Sequence, residues 1–396
     1  MPSHFDILVI GAGMIGAAAA RYLSAAGARV GVIGPGEPAE RRTHTGVFAS
    51  HYDQGRITRI IDADPVWASW AQRSIAAYPE IAQRSGIDFH VKSGGLGLVW
   101  RAGDTLGKEG RLLANGAAFG AEFTGIDDAA LTRHFPFLHF PDGFAGVWET
   151  GAAGYINPRA LVQAQLSIAD QQGAQIIRET SLSVTEDGGR LAVQTDKSNR
   201  YSADKVLVAA GGFANCHNLL LGKRLAYTAK LRTILLAEVN ENEARRLAAM
   251  PTIICPVLDD PQLASIYVLP PIRYPDGKFY IKLGGNNEPE RHAHSLADLQ
   301  AWFRTEGDPV DGEHLRLALH SLIPDLAARS YTTRPCVVTY TAHGYPYLDT
   351  LLPDRLFVAV GGCGSAAKSS DAIGAEAAGQ VLGKRSTNPA FVAQWE

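Results

Sequence analysis

The stretch Gly11-Ala12-Gly13-Met14-Ile15-Gly16 constrains this chain more than any other, because of what flanks it. Residues 5–10 before it form a short β-type run. After it come an alanine-rich stretch without a breaker, 17–26, then Gly27 and a second apolar run, 29–33. That order predicts a strand, a glycine turn, a helix and a second strand, a βαβ unit. In such a unit the first glycine (Gly11) allows the tight turn, the second (Gly13) lets backbone approach a pyrophosphate, and the third (Gly16) lets helix and sheet pack closely. Met14 and Ile15 open a helix whose free N–H groups and positive dipole end favour phosphate. The pattern also expects an acidic residue after the second strand to hold a ribose. Gly34 stands there, so ribose binding falls to backbone groups, to Glu37 or to Arg41 and Arg42.

Beyond this unit, 35–59 has no clear period and reads as a long loop, which in a compact domain usually carries function. A helix is predicted over 65–85 and another from Asn157-Pro158-Arg159. Strand-like patterns run over 91–100, 231–239 and 265–283, the last broken by the turn Pro275-Asp276-Gly277, and suggest an antiparallel sheet. The run 205–210 reads as a buried strand ending at Gly211-Gly212. Near the end come a strand over 356–360, a glycine turn over 361–364 and a helix over 372–382. Pieces of a nucleotide-binding unit therefore alternate with pieces of a sheet, without internal repeats or long linkers.

The 396 residues suit two domains, each large enough to bury a real interior. With 37 basic and 40 acidic residues the net charge is −3, which gives no bulk reason to expect nucleic acid or an anionic membrane as a partner. Cys216, Cys255, Cys336 and Cys363 show no C-x-x-C spacing, so neither a zinc site nor a disulfide framework is suggested, and no other metal-ligand spacing is present. Residues 1–10 lack a basic segment or an apolar run long enough to span a bilayer. The expectation is a cytoplasmic protein with reduced thiols.

Taken as a whole, the sequence resembles the D-amino-acid oxidase superfamily of FAD-dependent oxidoreductases, and within it the monomeric sarcosine oxidase group. Four patches carry the likeness, which runs from Asp6 to about Leu382. In Ser50-His51-Tyr52-Asp53-Gln54-Gly55-Arg56-Ile57-Thr58-Arg59, the resemblance implies Arg56 as flavin neighbour, Ser50 at the cofactor and Arg59 as a clamp on the substrate carboxylate. In Ala264 to Pro270 and Tyr280-Ile281-Lys282-Leu283-Gly284, it implies that Tyr267 faces substrate and that Lys282 helps the reduced flavin react with O2. In Arg334-Pro335-Cys336, it implies a covalent bond from Cys336 to FAD. In Val360-Gly361-Gly362-Cys363-Gly364, followed by Lys368, it implies a glycine turn under the flavin's pyrimidine edge and a lysine sharing the substrate carboxylate with Arg59. Asn286, Ser365 and Ala367 depart from the group's pattern and imply a differently shaped pocket.

The fold expected is α/β plus antiparallel sheet, a Rossmann-like FAD-binding domain (1–90, 151–225 and 333–396) interleaved with a substrate domain (91–150 and 226–332) on a mixed or antiparallel sheet. The activity implied is oxidation of a C–N bond in a small amino acid, N-methyl amino acid, cyclic imino acid or amine, with O2 as acceptor and hydrogen peroxide as product. The alternatives are a dehydrogenase of an amine or hydroxy acid that passes electrons to a carrier, and a subunit of a larger flavoprotein complex. The oligomeric state stays open.

Overall fold

Residues 4–383 and 389–396 are described by a computed structural model; 1–3 and 384–388, which the sequence division counts with the FAD-binding domain, lie outside the described residues. The first apolar run is strand His4–Ile10, and its neighbours explain its composition. It lies between the parallel strands Val30–Ile33 and Arg200–Val208, with Gln175–Ile177 beyond the former and Leu356–Val360 paired to the latter. Strands covered on both faces read as continuous apolar runs, and here Leu8, Val9, Val32, Val206 and Leu207 are all buried. The antiparallel pair Ser181–Asp187 and Arg190–Thr195 extends this eight-stranded sheet on one side, and Tyr347–Leu352 turns back on Leu356–Val360.

Four helices, Met14–Ala25, Pro65–Ser85, Pro158–Gln171 and Ala366–Val381, pack together beside that sheet. Ala17 to Ala20 are buried, and their small side chains let the first helix come close to the last. At Gly374 an added Cβ would meet Ala18 Cβ at 2.5 Å and Ala19 N at 2.8 Å, so only glycine permits that crossing. A buried polar network ties three of these helices. Arg21 donates to Asp371 at 2.8 Å and to Gln165 at 2.5 Å, and Gln165 donates to Asp371 at 2.7 Å. The last helix begins at Ala366, ahead of the predicted start at 372. The polar run Lys368-Ser369-Ser370-Asp371 looks solvated in sequence but is buried at the helix interface.

The second sheet has nine strands in the order Arg291–Ala293, Tyr227–Val239, Phe279–Asn287, Leu263–Arg273, Thr252–Pro256, Gly95–Trp100, Phe144–Glu149 and Phe123–Asp127, with Ala328–Thr341 on Tyr227–Val239. All pairs are antiparallel except Thr252–Pro256 beside Gly95–Trp100, so the sheet is mixed. It has its own core, including Leu96, Leu235, Ile253, Leu283 and Leu315. The sequence division cuts at 333 and counts Cys336 with the FAD-binding domain, but the strand that holds Cys336 pairs with Tyr227–Val239 along its length, Arg232 opposite Cys336.

A third, three-stranded sheet joins the two. Arg56–Thr58 and His90–Val91 both pair with Gly154–Ile156, so the end of the stretch read as loop is a strand. This strand fixes the backbone that carries Arg56 and precedes Arg59. Among the described residues, no helix is long and apolar enough to cross a membrane.

Candidate active site

The predicted glycine turn closes one end of a deep cavity lined by Gly11, Gly13, Met14 and Ile15. Gly11 has φ +113°, and a Cβ there would strike the carbonyl oxygen of Ala209, while a Cβ on Gly16 would strike that of Gly11. Gly16 is therefore a packing residue and not a wall of the cavity. Gly13 differs, since the nearest atom to its ideal Cβ is His51 Nδ1 at 4.0 Å, which leaves the backbone open to the cavity. No side chain caps helix Met14–Ala25, so its first-turn N–H groups are free to meet an anion.

A second uncapped helix start reaches the same cavity. Gly361, Gly362 and Gly364 line it, Gly361 with φ +107° and Gly364 with φ +75°, and they lead into Ala366–Val381, which again has no side-chain cap. Ser50, Arg56 and Cys336 line the cavity too, with an apolar wall from Phe48, Phe213 and Phe303. Ser181 Oγ, on the same lining, is buried without a hydrogen-bond partner. The open backbone at Gly13 and the free first turn from Met14, an orphaned hydroxyl and an apolar wall fit an extended dinucleotide, while at the second helix start the N–H groups of Gly362 and Cys363 donate to Thr339 and those of Ser365 and Ala366 to the Gly362 carbonyl. Of the residues weighed for the ribose, Glu37 is bound by Arg159 at 2.5 and 2.7 Å, and Arg41 and Arg42 are both held by Glu306. At Gly34 a Cβ would meet Ala12 N at 2.6 Å, so the missing acid has a steric cause.

Arg56 and Lys282 are brought together by a residue the sequence reading did not single out. Asp53, buried, accepts from Lys282 Nζ at 2.5 Å, from Arg56 and from Tyr274 Oη at 2.9 Å. Lys282 also donates to the Gly55 carbonyl at 2.6 Å and has no exposed surface. Burial, then the neighbouring Arg56 charge, push its pKa down to about 8 against the pull of Asp53. Burial raises the Asp53 carboxyl, but Lys282 and Arg56 outweigh it and hold the group well below the usual carboxylate range. Tyr267 lies close by, 5.7 Å from ring centroid to Lys282 Nζ, with its ring over Gly284. Lys282 and Tyr267 sit behind Arg56 and do not line the cavity.

Arg59 and Lys368 also converge, again on an aspartate. Asp62 Oδ2 lies 2.8 Å from Lys368 Nζ and 3.4 Å from the Arg59 guanidinium nitrogen Nη2. Burial pushes the Lys368 pKa down to about 8, opposed by Asp62, with Arg59 adding to the fall. Neither residue lines the cavity, but Arg59 lies three positions past Arg56, and Lys368 follows Ala367, which does line it. Asp53 and Asp62 carry no spacing signal; their meaning lies in the arginines three positions away.

His51 is a further residue the sequence reading passed over. It lies between this cavity and a cleft with Arg159 and Arg178, and burial together with those cations pushes its pKa down to about 3, so it is neutral. Asn286, at the departure from the group's pattern, donates to Ser265 Oγ at 2.9 Å on the exposed side of its strand. The one cluster of possible metal ligands among the described residues, His4, Asp6 and Asp204, lies on the first strand's outer end, where Asp6 is bound by Arg29.

Known proteins align with this arrangement. The chain is 30% identical over 218 residues to monomeric sarcosine oxidase of Streptomyces avermitilis, covering 54% of this chain and 53% of that one. It is 24% identical over 213 residues to N-methyl-L-tryptophan oxidase of Citrobacter koseri, 52% and 53% of the two chains. The chain thus spans about half the length of the curated relatives it matches. Among solved structures, NikD, described as an unusual amino acid oxidase essential for nikkomycin biosynthesis, superposes with TM-score 0.76 at 21% identity, covering 99% of this chain and 98% of the other. L-proline dehydrogenase from P. horikoshii gives 0.73 at 17%, covering 99% and 97%. Both show the same fold. Residues 6–380 match the FAD dependent oxidoreductase family DAO, and the chain belongs to that family of FAD-dependent oxidoreductases.

Proposed function

We propose that this enzyme oxidises the C–N bond of a small amine or amino acid, N-methyl amino acid or cyclic imino acid. The observation that carries the reading is one cavity lined by the open Gly13 turn at the uncapped start of helix Met14–Ala25, by the turn Gly361, Gly362 and Gly364, and by Arg56 and Cys336. Gly13 and the first turn at Met14 and Ile15 suit the pyrophosphate, and the turn from Gly361 to Gly364 suits a flavin ring laid against its backbone. Bound FAD supplies the two-electron acceptor, so that the amine becomes an imine that water hydrolyses, and O2 is reduced to hydrogen peroxide. Arg56 places positive charge beside the ring, Tyr267 stands beside Lys282 off the cavity wall, and Cys336 Sγ is the atom suited to hold FAD covalently. Arg59 and Lys368 meet the end of the substrate remote from the amine. The sarcosine and N-methyltryptophan oxidases among the relatives support the substrate class.

A second reading, transfer of electrons to a carrier in place of O2, is favoured by one observation. The Lys282 charge expected to assist O2 is matched by Asp53 and faces the Gly55 carbonyl. Both readings are tested by mixing the purified yellow holoenzyme anaerobically with amino acids, N-methyl amino acids, cyclic imino acids and amines. Bleaching by one class and prompt return of colour on admitting O2 support the first reading. Bleaching with slow reoxidation supports the second, and failure of every amine to bleach the flavin overturns both.

A further inference from the structure

Two carboxylates already face the two cations that the family resemblance assigns to a substrate carboxylate. Asp62 Oδ2 is shared between Lys368 and Arg59, and the group is tethered. Its Oδ1 accepts the backbone N–H of Asp64 at 3.2 Å, and its carbonyl accepts from Asn115 Nδ2 at 2.8 Å. From the second sheet comes Glu149, 2% exposed, whose carboxylate accepts the N–H groups of Ile60 and Ile61 at 2.9 Å each and lies within the field of both cations. Lys108, on the exposed face of helix Lys108–Ala118, lies within the field of Arg59 and Asp62, and burial of its charge together with Arg59 lowers its pKa. The two cations of the cluster itself, Arg59 and Lys368, are matched by the two carboxylates Asp62 and Glu149. What is left is Arg59 Nη1, buried and without a partner. An entering carboxylate would be a third anion beside two held in place, whereas a single N–H donor suits one neutral acceptor oxygen.

We propose that Asp62 is a specificity-determining residue that fills the anion place between Arg59 and Lys368 from within, so that the enzyme takes amines whose far end is an amide, ester or hydroxyl in preference to α-amino carboxylates. This rests on the reading that the enzyme oxidises C–N bonds. Specificity here comes from a built-in repulsive element as much as from an attractive one.

The test compares matched pairs on the full-length holoenzyme, sarcosine with its amide and proline with its amide, by anaerobic flavin bleaching. The native enzyme should favour the amides by about tenfold or more, and Asp62→Asn should move the preference toward the carboxylates by about tenfold. A parallel titration with acetate, followed by the flavin absorbance spectrum, should tighten by about tenfold in Asp62→Asn. Native preference for the carboxylates, or a preference and acetate affinity unmoved by the substitution, overturns the proposal. If no member of any pair bleaches the flavin, the C–N reading fails, and the acetate titration alone decides the role of Asp62. Asp62→Ser, which keeps a small acceptor for the Asp64 N–H, is read the same way if Asp62→Asn does not fold.

Discussion

Two buried clusters of the same composition, each one arginine, one lysine and one aspartate, lie three residues apart on one stretch of chain. In the first, Asp53 joins Arg56 and Lys282, and Tyr274 and the Gln54 N–H complete its shell. Its lysine comes from the second sheet and has no exposed surface. In the second, Asp62 joins Arg59 and Lys368, its lysine comes from the last helix, and one guanidinium nitrogen of Arg59 has no partner. The same residue types thus serve two ends. A cluster with every donor and acceptor satisfied joins sheet to loop, and a cluster with one donor unsatisfied holds a polar atom whose burial is not offset.

Breaking the carboxylate in each cluster separates them most strongly. Asp53→Asn leaves Lys282 and Arg56 buried without a counter-charge, and a broken buried pair costs about 3–5 kcal/mol. Asp62→Asn should cost less, about 1.5–3 kcal/mol, because Glu149 still faces both cations. Denaturant midpoints of the two variants measure the difference, and equal losses would erase the distinction.

The two lysines sharpen the comparison through pH. Each is pushed from its ordinary 10.5 to about 8 in the folded protein. Between those values the unfolded chain binds the protons that the folded chain has lost, so each lysine contributes stability that rises with pH across that window, by roughly 1.4 kcal/mol per pKa unit, against a fall above about pH 9 from Cys216, Cys255 and Cys363, whose thiols burial raises. Burial raises the Tyr267 and Tyr274 hydroxyls, so the folded chain keeps protons that the unfolded one loses above about pH 10, and stability turns down there. Lys282→Met and Lys368→Met should each remove a share of the rise. If neither Lys282→Met nor Lys368→Met changes the slope between pH 8 and 10, the aspartates keep both lysines charged there.

This pairing explains what was legible beforehand. The turn from Gly11 to Gly16 could be read because its geometry is local: φ, close approach and the helix start are decided within six residues. The four helices beside the first sheet and the second-sheet strands within 91–100, 231–239 and 265–283 follow from period and punctuation in the same way, whereas Phe123–Asp127, Phe144–Glu149, Thr252–Pro256 and Arg291–Ala293 were not read. Asp53 and Asp62 could not be read, since the lysines they meet lie 229 and 306 positions away and an arginine three positions off is no periodic pattern. Pairing of the Cys336 strand with Tyr227–Val239 was hidden for the same reason. Lys368 was expected from family likeness, but the acid that meets it was not.

A smaller change probes the completeness of the first shell alone. Tyr274→Phe removes one hydrogen bond to Asp53 and leaves the second cluster untouched. The loss should be about 1.5 kcal/mol, in the range for hydrogen bonds to a charged group. Because the Tyr274 hydroxyl donates to the carboxylate, its removal should also strengthen the hold of Asp53 on Lys282 and raise the lysine pKa, which the midpoint of the pH profile reports. An unchanged midpoint would show that Lys282 is governed by burial and Arg56 alone.

The smallest expected effect on stability concerns the thiol beside the first cluster. Cys336 lies within the field of Arg56, Tyr267 and Lys282. It lines the cavity, is half-buried, and its sulfur makes only a weak contact with the Val337 carbonyl at 4.0 Å, so nothing in the fold depends on it. Cys363 is the nearest competitor for a bond to FAD, but its sulfur faces Thr341 Oγ1 at 3.5 Å and the Gly361 carbonyl, and burial raises its pKa. Cys336 lines the cavity and Cys363 does not, so Cys336 is the better placed of the two. Cys336→Ser should therefore change stability by less than about 0.5 kcal/mol, as expected of a near-isosteric change away from strained or fully buried sites. Its colour should change far more. In acid precipitation the native protein keeps its yellow in the pellet and Cys336→Ser releases it to the supernatant. Flavin released wholly from the native protein would place Cys336 with the neutral walls of the cavity and leave the first cluster to act on the cofactor through charge alone.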